Sequence, residues 1–191
     1  HYIPGYVPSF QHATNVAGVI ASNHDLYQGI APKVKLVQGN NPDVTDQGRI
    51  DVTNWAIDPA AGNADVLVLS WNQPIDGINL LDRYYDYVVS TYWNTVVVSA
   101  GNNGPGGLVR TPARAYNVIT VGNYDDKGSG TWSGDNMASD SAYLDDEGDR
   151  NKPEVVAPGT SIHTTRSDSN TSFTDVSGTS FAAPMVAGEA A

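Results

Sequence analysis

The chain has 191 residues, 40% of them apolar, and its 21 acidic against 10 basic side chains give a net charge of −11. That is one domain's worth of sequence, enough for a single sizeable core. The charge argues against nucleic acid and anionic membrane surfaces as partners, and no apolar run approaches the ~20 residues of a membrane span. The lack of cysteine excludes disulfides and thiolate metal sites.

In chain order, QHATNVAGVIAS (11–22) sets small apolar residues behind His12, which is the composition of a buried helix with an ionisable ring at its mouth. KVKLV (33–37) reads as a strand, RIDVTNWAIDPA (49–60) as a weak helix and DVLVLS (65–70) as a second strand. In NLLDRYYDYVVSTYW (79–93), Leu81, Tyr85, Val88 and Tyr92 recur at helical spacing, with Tyr84, Tyr87 and Trp93 at core and rim. TVVVSA (95–100) and VITVG (118–122) are further strands. DVLVLS and TVVVSA are near-continuous apolar runs, the mark of strands buried on both faces of a parallel sheet. Residues 123–152, rich in Gly, Ser, Asn and Asp, read as loop. This alternation predicts an α/β fold: a three-layer, doubly wound, mostly parallel sheet with helices on both faces, forming one domain over residues 1–191.

Ligands of an open parallel sheet sit beyond the carboxyl ends of its strands. SAGNNGP (99–105) is therefore expected at a functional edge, with Asn102 and Asn103 in its turn. In SGTSFAAPMVAG (177–188), Ser180 follows a Gly–Thr turn and precedes a small-residue helix, with Pro184 expected near the helix start. Free N–H groups and the macrodipole at such a start favour negative charge, a setting that suits a serine nucleophile whose substrate develops an oxyanion.

These three stretches resemble the motifs of the subtilisin-like serine proteases, the subtilases. His12-Ala13-Thr14-Asn15-Val16-Ala17-Gly18 is similar to the family's His-Gly-Thr-His-Val-Ala-Gly, and Ala100-Gly101-Asn102 to its strand-ending Ala-Gly-Asn. Gly178-Thr179-Ser180-Phe181-Ala182-Ala183-Pro184 is similar to Gly-Thr-Ser-Met-Ala-Ala-Pro. GIAPKVKL (29–36), Ser70-Trp71 and KPEVVAPGTSI (152–162) follow in the family's order, so the resemblance covers essentially the whole chain. It implies a serine endopeptidase in which Ser180 attacks, His12 is the base and Asn102 stabilises the oxyanion. A polypeptide substrate would pair along Ser70, Trp71 and Asn72 and against Ala100 and Gly101, and the setting would be extracellular. Ala13, Asn15 and Asn72 depart from the family pattern, and Asn72 would put a polar group near the pocket entrance.

The family's third catalytic residue is an aspartate upstream of the histidine, and HYIPGYVPSFQ contains no acid. The domain is therefore expected to be incomplete at both ends, with His12 and Ser180 converging at the sheet's carboxyl edge and the far face of His12 opening onto a slot. The rival reading is a non-catalytic subtilase-like binding module. No metal or cofactor is expected. A calcium site at Asp145, Asp146, Glu147 and Asp149, with Asp125 and Asp126 earlier, is the alternative, although the run matches no recognised loop. His24 is expected in a surface loop, His163 on an exposed strand, and His1 has no assigned role. Oligomeric state is left open.

Overall fold

A computed structural model describes residues 10–40, 43–75, 77–147, 150–169 and 171–191. Helix α1 spans Phe10–Ala21 and α2 Asp46–Ile57, followed by β1 (Val66–Leu69), α3 (Leu80–Tyr92), β2 (Thr95–Ser99) and β3 (Ile119–Asp125). A 3-10 turn at Trp132–Gly134 precedes β4 (Asn136–Met137), β5 (Val155–Pro158), β6 (Ile162–Thr165), β7 (Phe173–Val176) and α4 (Thr179–Ala190). Strands β1, β2, β3 and β5 pair in parallel, and the short β4 runs antiparallel to the end of β3. Strands β6 and β7 form a separate antiparallel hairpin.

The period of two along β2 builds both cores. Val96 and Val98 point to one face, where Leu81, Tyr85 and Val88 of α3 cover them. Val97 points to the other, against Ala182, Ala183 and Ala187 of α4. The sheet is thus covered on both faces, with α1 packed against α4 as part of the second cover.

Helix α3 forms as its spacing dictates. Asn79 accepts a hydrogen bond from the Leu81 N–H, and the Asp82 carboxylate accepts one from the Asn79 N–H, a reciprocal cap at the helix start. The helix ends where Trp93 turns left-handed at φ 63°. Tyr92, in the last turn, stays exposed although it shares the apolar spacing.

Four expectations need correction. KVKLV (33–37) forms no strand: residues 34–37 line a cleft that β1 also lines, and no described strand pairs with them to complete a ladder. DVLVLS is not buried on both faces, because β1 is the sheet edge and only Leu67 is fully covered. Residues 123–152 are not all loop, since β3 continues to Asp125 and β4 returns along it, its Met137 opposite Tyr124. Pro184 is not at the start of its helix but inside it.

Candidate active site

The site gathers at the carboxyl ends of β1 and β2. Ser70 directly follows β1, Ala100–Asn102 follow β2, and Ser180 is the second residue of α4. The Ser70 carbonyl oxygen accepts from Ser180 Oγ at 3.2 Å and lies 3.2 Å from His12 Nε2. One carbonyl thus holds both side chains, so their polar atoms lie no further apart than twice that distance. In return, Ser70 Oγ donates to the Ser180 carbonyl at 2.8 Å. Pro184 explains why that carbonyl is available: four residues further along, it has no N–H to give. The interior proline thus trades a helix hydrogen bond for a strand-to-helix tie at the nucleophile.

The Ser70 carbonyl can only accept, so the proton of neutral His12 in this contact sits on Nε2. His12 is solvent-exposed, and its ring leans on Phe181, 5.5 Å between centroids and tilted by 60°. Helix α1 is held in place from behind: Asn15 Nδ2 donates to the Thr165 carbonyl at 2.7 Å, and Thr164 Oγ1 donates to the Asn15 carbonyl at 2.8 Å. Gly18 completes the contact, since a Cβ there would stand 2.2 Å from Thr165 Oγ1. Asn15 is buried and structural.

Asn102 is fixed by the same helix start. Gly178 precedes α4 and has no side chain to cap it, so Asn102 Oδ1 serves instead, accepting from Thr179 N at 2.9 Å and Thr179 Oγ1 at 2.8 Å. The Thr179 N–H can only donate, which identifies its partner atom as the oxygen and leaves Nδ2 without a partner among the described residues. Thr179 Oγ1 also accepts from the Gly101 N–H at 3.2 Å, joining the end of β2 to the start of α4. At Gly178, φ is 134° and a Cβ would meet Asn102 Nδ2 at 2.9 Å, so glycine is required on both counts.

The remaining candidates divide. Ser70 is central, and Ala100 and Gly101 are buried beneath Asn102. The Trp71 ring lies under the Arg49 guanidinium, 4.4 Å from its centroid, and packs with the α3-side core. Asn72 Nδ2 reaches towards Ser99 Oγ, 3.5 Å away at the end of β2. Thr179 and Phe181 were not singled out by sequence. The signal for Thr179 was the uncapped Gly178, whereas Phe181 carried none.

Among the described residues no Asp or Glu forms an ion pair with His12. Beside His12 opens a cleft of about 890 Å³, with residues 34–39 on one wall, Val66–Leu69 of β1 on the other and His12, Ala13 and Val16 along it. The acidic loop is differently employed. Asp145 pairs with Arg150 and Asp146 with Arg114, each at 2.7 Å, and Asp125 with Lys127. Among the described residues no three His, Asp or Glu side chains converge as a metal site would require; Asp149 lies outside them.

The parallel sheet, the small-residue helix behind it and the cluster at its carboxyl edge define the subtilisin-like α/β class. The solved structure of S41 Psychrophilic Protease superposes with a TM-score of 0.76 at 24% identity, covering 94% of this chain and 62% of that one. The match to the Subtilase family (Peptidase_S8) runs over residues 5–191, and the chain belongs to that family of serine proteases. Subtilisin DY of Bacillus licheniformis is 34% identical over 186 residues, 94% of this chain and 62% of its own length. Serine protease AprX of Bacillus subtilis (strain 168) is 29% identical over 212 residues, 94% of this chain and 47% of its own. The chain therefore spans about half the length of such relatives.

Proposed function

We propose that the protein is a serine endopeptidase in which Ser180 is the nucleophile, His12 the general base and acid, and Asn102 the side-chain oxyanion donor. The observation that supports this most is the shared Ser70 carbonyl, which keeps base and nucleophile together at the start of α4. In the first step Ser180 Oγ attacks the scissile carbonyl carbon while its proton passes to His12 Nε2. The oxyanion forms against the Asn102 Nδ2–H and the backbone N–H groups at the helix start. His12 returns the proton to the leaving amine, and water then hydrolyses the acyl-enzyme by the same route.

This step requires Nε2 to be a bare lone pair, whereas in the contact with Ser70 it carries the proton. A carboxylate at Nδ1 would draw the proton to that side and free Nε2 for Ser180. We assign that carboxylate to a segment outside residues 1–191 that enters the cleft between residues 34–39 and β1, where the outer edge of β1 offers free backbone groups and His12 stands at the mouth. Residues 1–191 by themselves are then nearly inactive. We extend the reading to polypeptide substrates in an extracellular setting, supported by family kinship. A non-catalytic binding module is not favoured, because Ser70 holds both the hydroxyl and the carbonyl of Ser180 while Asn102 fixes the adjoining Thr179.

A serine-directed fluorophosphonate tests this. It should label Ser180 in the longer protein and lose its target in Ser180→Ala; labelling that survives the substitution, or fails in the unsubstituted protein, contradicts the assignment.

A further inference from the structure

A second cavity, about 180 Å³, is lined by Pro74, Ile75, Asn103, Leu108, Arg110 and Arg114, with Asn103 directly following Asn102. Its two arginines differ in state. Arg114 is 1% exposed and engaged, its Nε donating to the Val109 carbonyl and its guanidinium paired with Asp146 at 2.7 Å. Arg110 is half-buried, with a backbone N–H bound to the Ala100 carbonyl at 3.2 Å, and among the described residues its guanidinium has no carboxylate partner.

That state sets Arg110 apart from the chain's other cations. Six described Lys and Arg side chains are paired with carboxylates: Arg49, Arg114, Lys127, Arg150, Lys152 and Arg166. Lys33, Lys35 and Arg83 are unpaired but exposed to water. In a chain of net charge −11, leaving one half-buried guanidinium without an acid is costly unless something else completes it.

The placement says what that is. A Cβ on Gly101 would lie 3.6 Å from both Arg110 Cγ and Cδ, so the arginine stem runs beneath the glycine next to Asn102. In the peptidase reading, the leaving amine takes its proton from His12 and must lie on the His12 side. The residue that supplies the attacked carbonyl then lies on the Asn102 side, where Gly101 touches the Arg110 stem and Asn103 lines the cavity. The apolar Pro74, Ile75 and Leu108 suit an aliphatic stem and Arg110 a negative head. A liquid water molecule occupies ~30 Å³, so the space accommodates the side chain of Asp or Glu.

We infer that Arg110 is a specificity-determining residue that makes the protease prefer an acidic side chain on the residue whose carbonyl Ser180 attacks. The inference rests on the peptidase reading. A fully desolvated guanidinium–carboxylate contact corresponds to a preference of about 10- to 100-fold.

The test uses the full-length protein and four peptides identical except for Glu, Asp, Leu or Lys before the scissile bond. The expected result is a kcat/KM about 10- to 100-fold higher for Glu or Asp than for Leu, with Lys poorest. Arg110→Leu should erase the preference, and Arg110→Glu should reverse it towards Lys. Fluorophosphonate labelling of Ser180 in each variant shows that the fold and nucleophile are intact. Preference for Leu in the unsubstituted protein, acid preference that survives Arg110→Glu, or a labelled Ser180 with no acidic peptide cleaved would overturn the inference. Absence of Ser180 labelling in the unsubstituted protein would instead sink the peptidase reading beneath it.

Discussion

Two histidines of this chain invite opposite conclusions. His163 has the carboxylate: on the β6–β7 hairpin its Nδ1 lies 2.7 Å from Asp175 Oδ1, its cross-strand neighbour, and its ring stacks on Phe173. His12 has no acid among the described residues, but it shares the Ser70 carbonyl with Ser180. A histidine–carboxylate contact is common surface chemistry, and an exposed cross-strand pair contributes only about 0.2–1 kcal/mol. The rarer ingredient is a serine at a helix start, and the parallel sheet brings one to His12 alone. Place in the fold, more than partner chemistry, separates the two.

The largest expected effect follows directly. In the longer protein, Ser180→Ala or His12→Ala should lower kcat by about 10⁶-fold, the scale set by a related subtilisin rather than by this chain. His163→Ala should leave kcat within a factor of ~2, since this exposed side chain contacts Asp175, Tyr27 and Phe173 rather than His12, Ser70 or Ser180 and acts on stability. Steady-state assays of the three variants side by side check this, and a large kcat loss in His163→Ala would break the comparison.

Asn102→Leu should cost about 10²–10³ in kcat with little change in KM, a range that itself comes from a subtilisin. Thr179→Val keeps the N–H to Asn102 and removes only the hydroxyl. It should give a smaller kcat loss of about 10-fold, because the hydroxyl positions Asn102 without touching substrate. If Asn102→Leu changed KM alone, Asn102 would be only a turn residue.

The two histidines also share a support, since α1 carries His12 and docks on β6, which carries His163. Gly18→Ala drives a methyl into Thr165 Oγ1 and should destabilise the fold by about 1–3 kcal/mol, read from urea unfolding. Thr164 Oγ1 also stands in the way, 2.5 Å from that Cβ, so combining Gly18→Ala with Thr165→Gly should recover only part of the loss and adding Thr164→Ala should recover more. Without recovery in the triple variant, the close approach of α1 to β6 would not be what limits the site.

The smallest effect concerns a buried acid already committed elsewhere. Asp82 is fully buried, accepting from the Thr111 hydroxyl at 2.8 Å and from the Asn79 N–H. Burial raises its pKa above 3.8, and the two hydrogen bonds only partly offset that. A carboxyl with a raised folded-state pKa favours folding most below its unfolded value, and the contribution fades as pH rises through the folded value. Unfolding at pH 3.5 and pH 7 should therefore show the unsubstituted protein losing stability relative to Asp82→Asn as pH increases; an unchanged difference would contradict the shift.

Much of this was legible in the sequence, for identifiable reasons. Periodicity marked α3 because its core face is built from side chains, and small residues marked α1 and α4 because their backbones approach β6 and the sheet closely. KVKLV misled because strand propensity says nothing about whether a neighbour is there to pair. The Ser70 carbonyl was invisible because a backbone oxygen has no letter, and only the proline four residues after Ser180 hinted that the helix had given up a hydrogen bond there. Asn102 read as an oxyanion donor, but its service as the cap of α4 depends on two segments meeting across 77 positions of sequence.

In the proposed mechanism an acid from outside residues 1–191 switches the His12 proton from Nε2 to Nδ1. Nitrogen-15 NMR of the imidazole tests it most directly, at a pH where the ring is neutral. Residues 1–191 alone should show the Nε2–H tautomer, and the longer, active protein the Nδ1–H tautomer. Finding Nε2–H in the active protein, or Nδ1–H already in residues 1–191, would contradict the account.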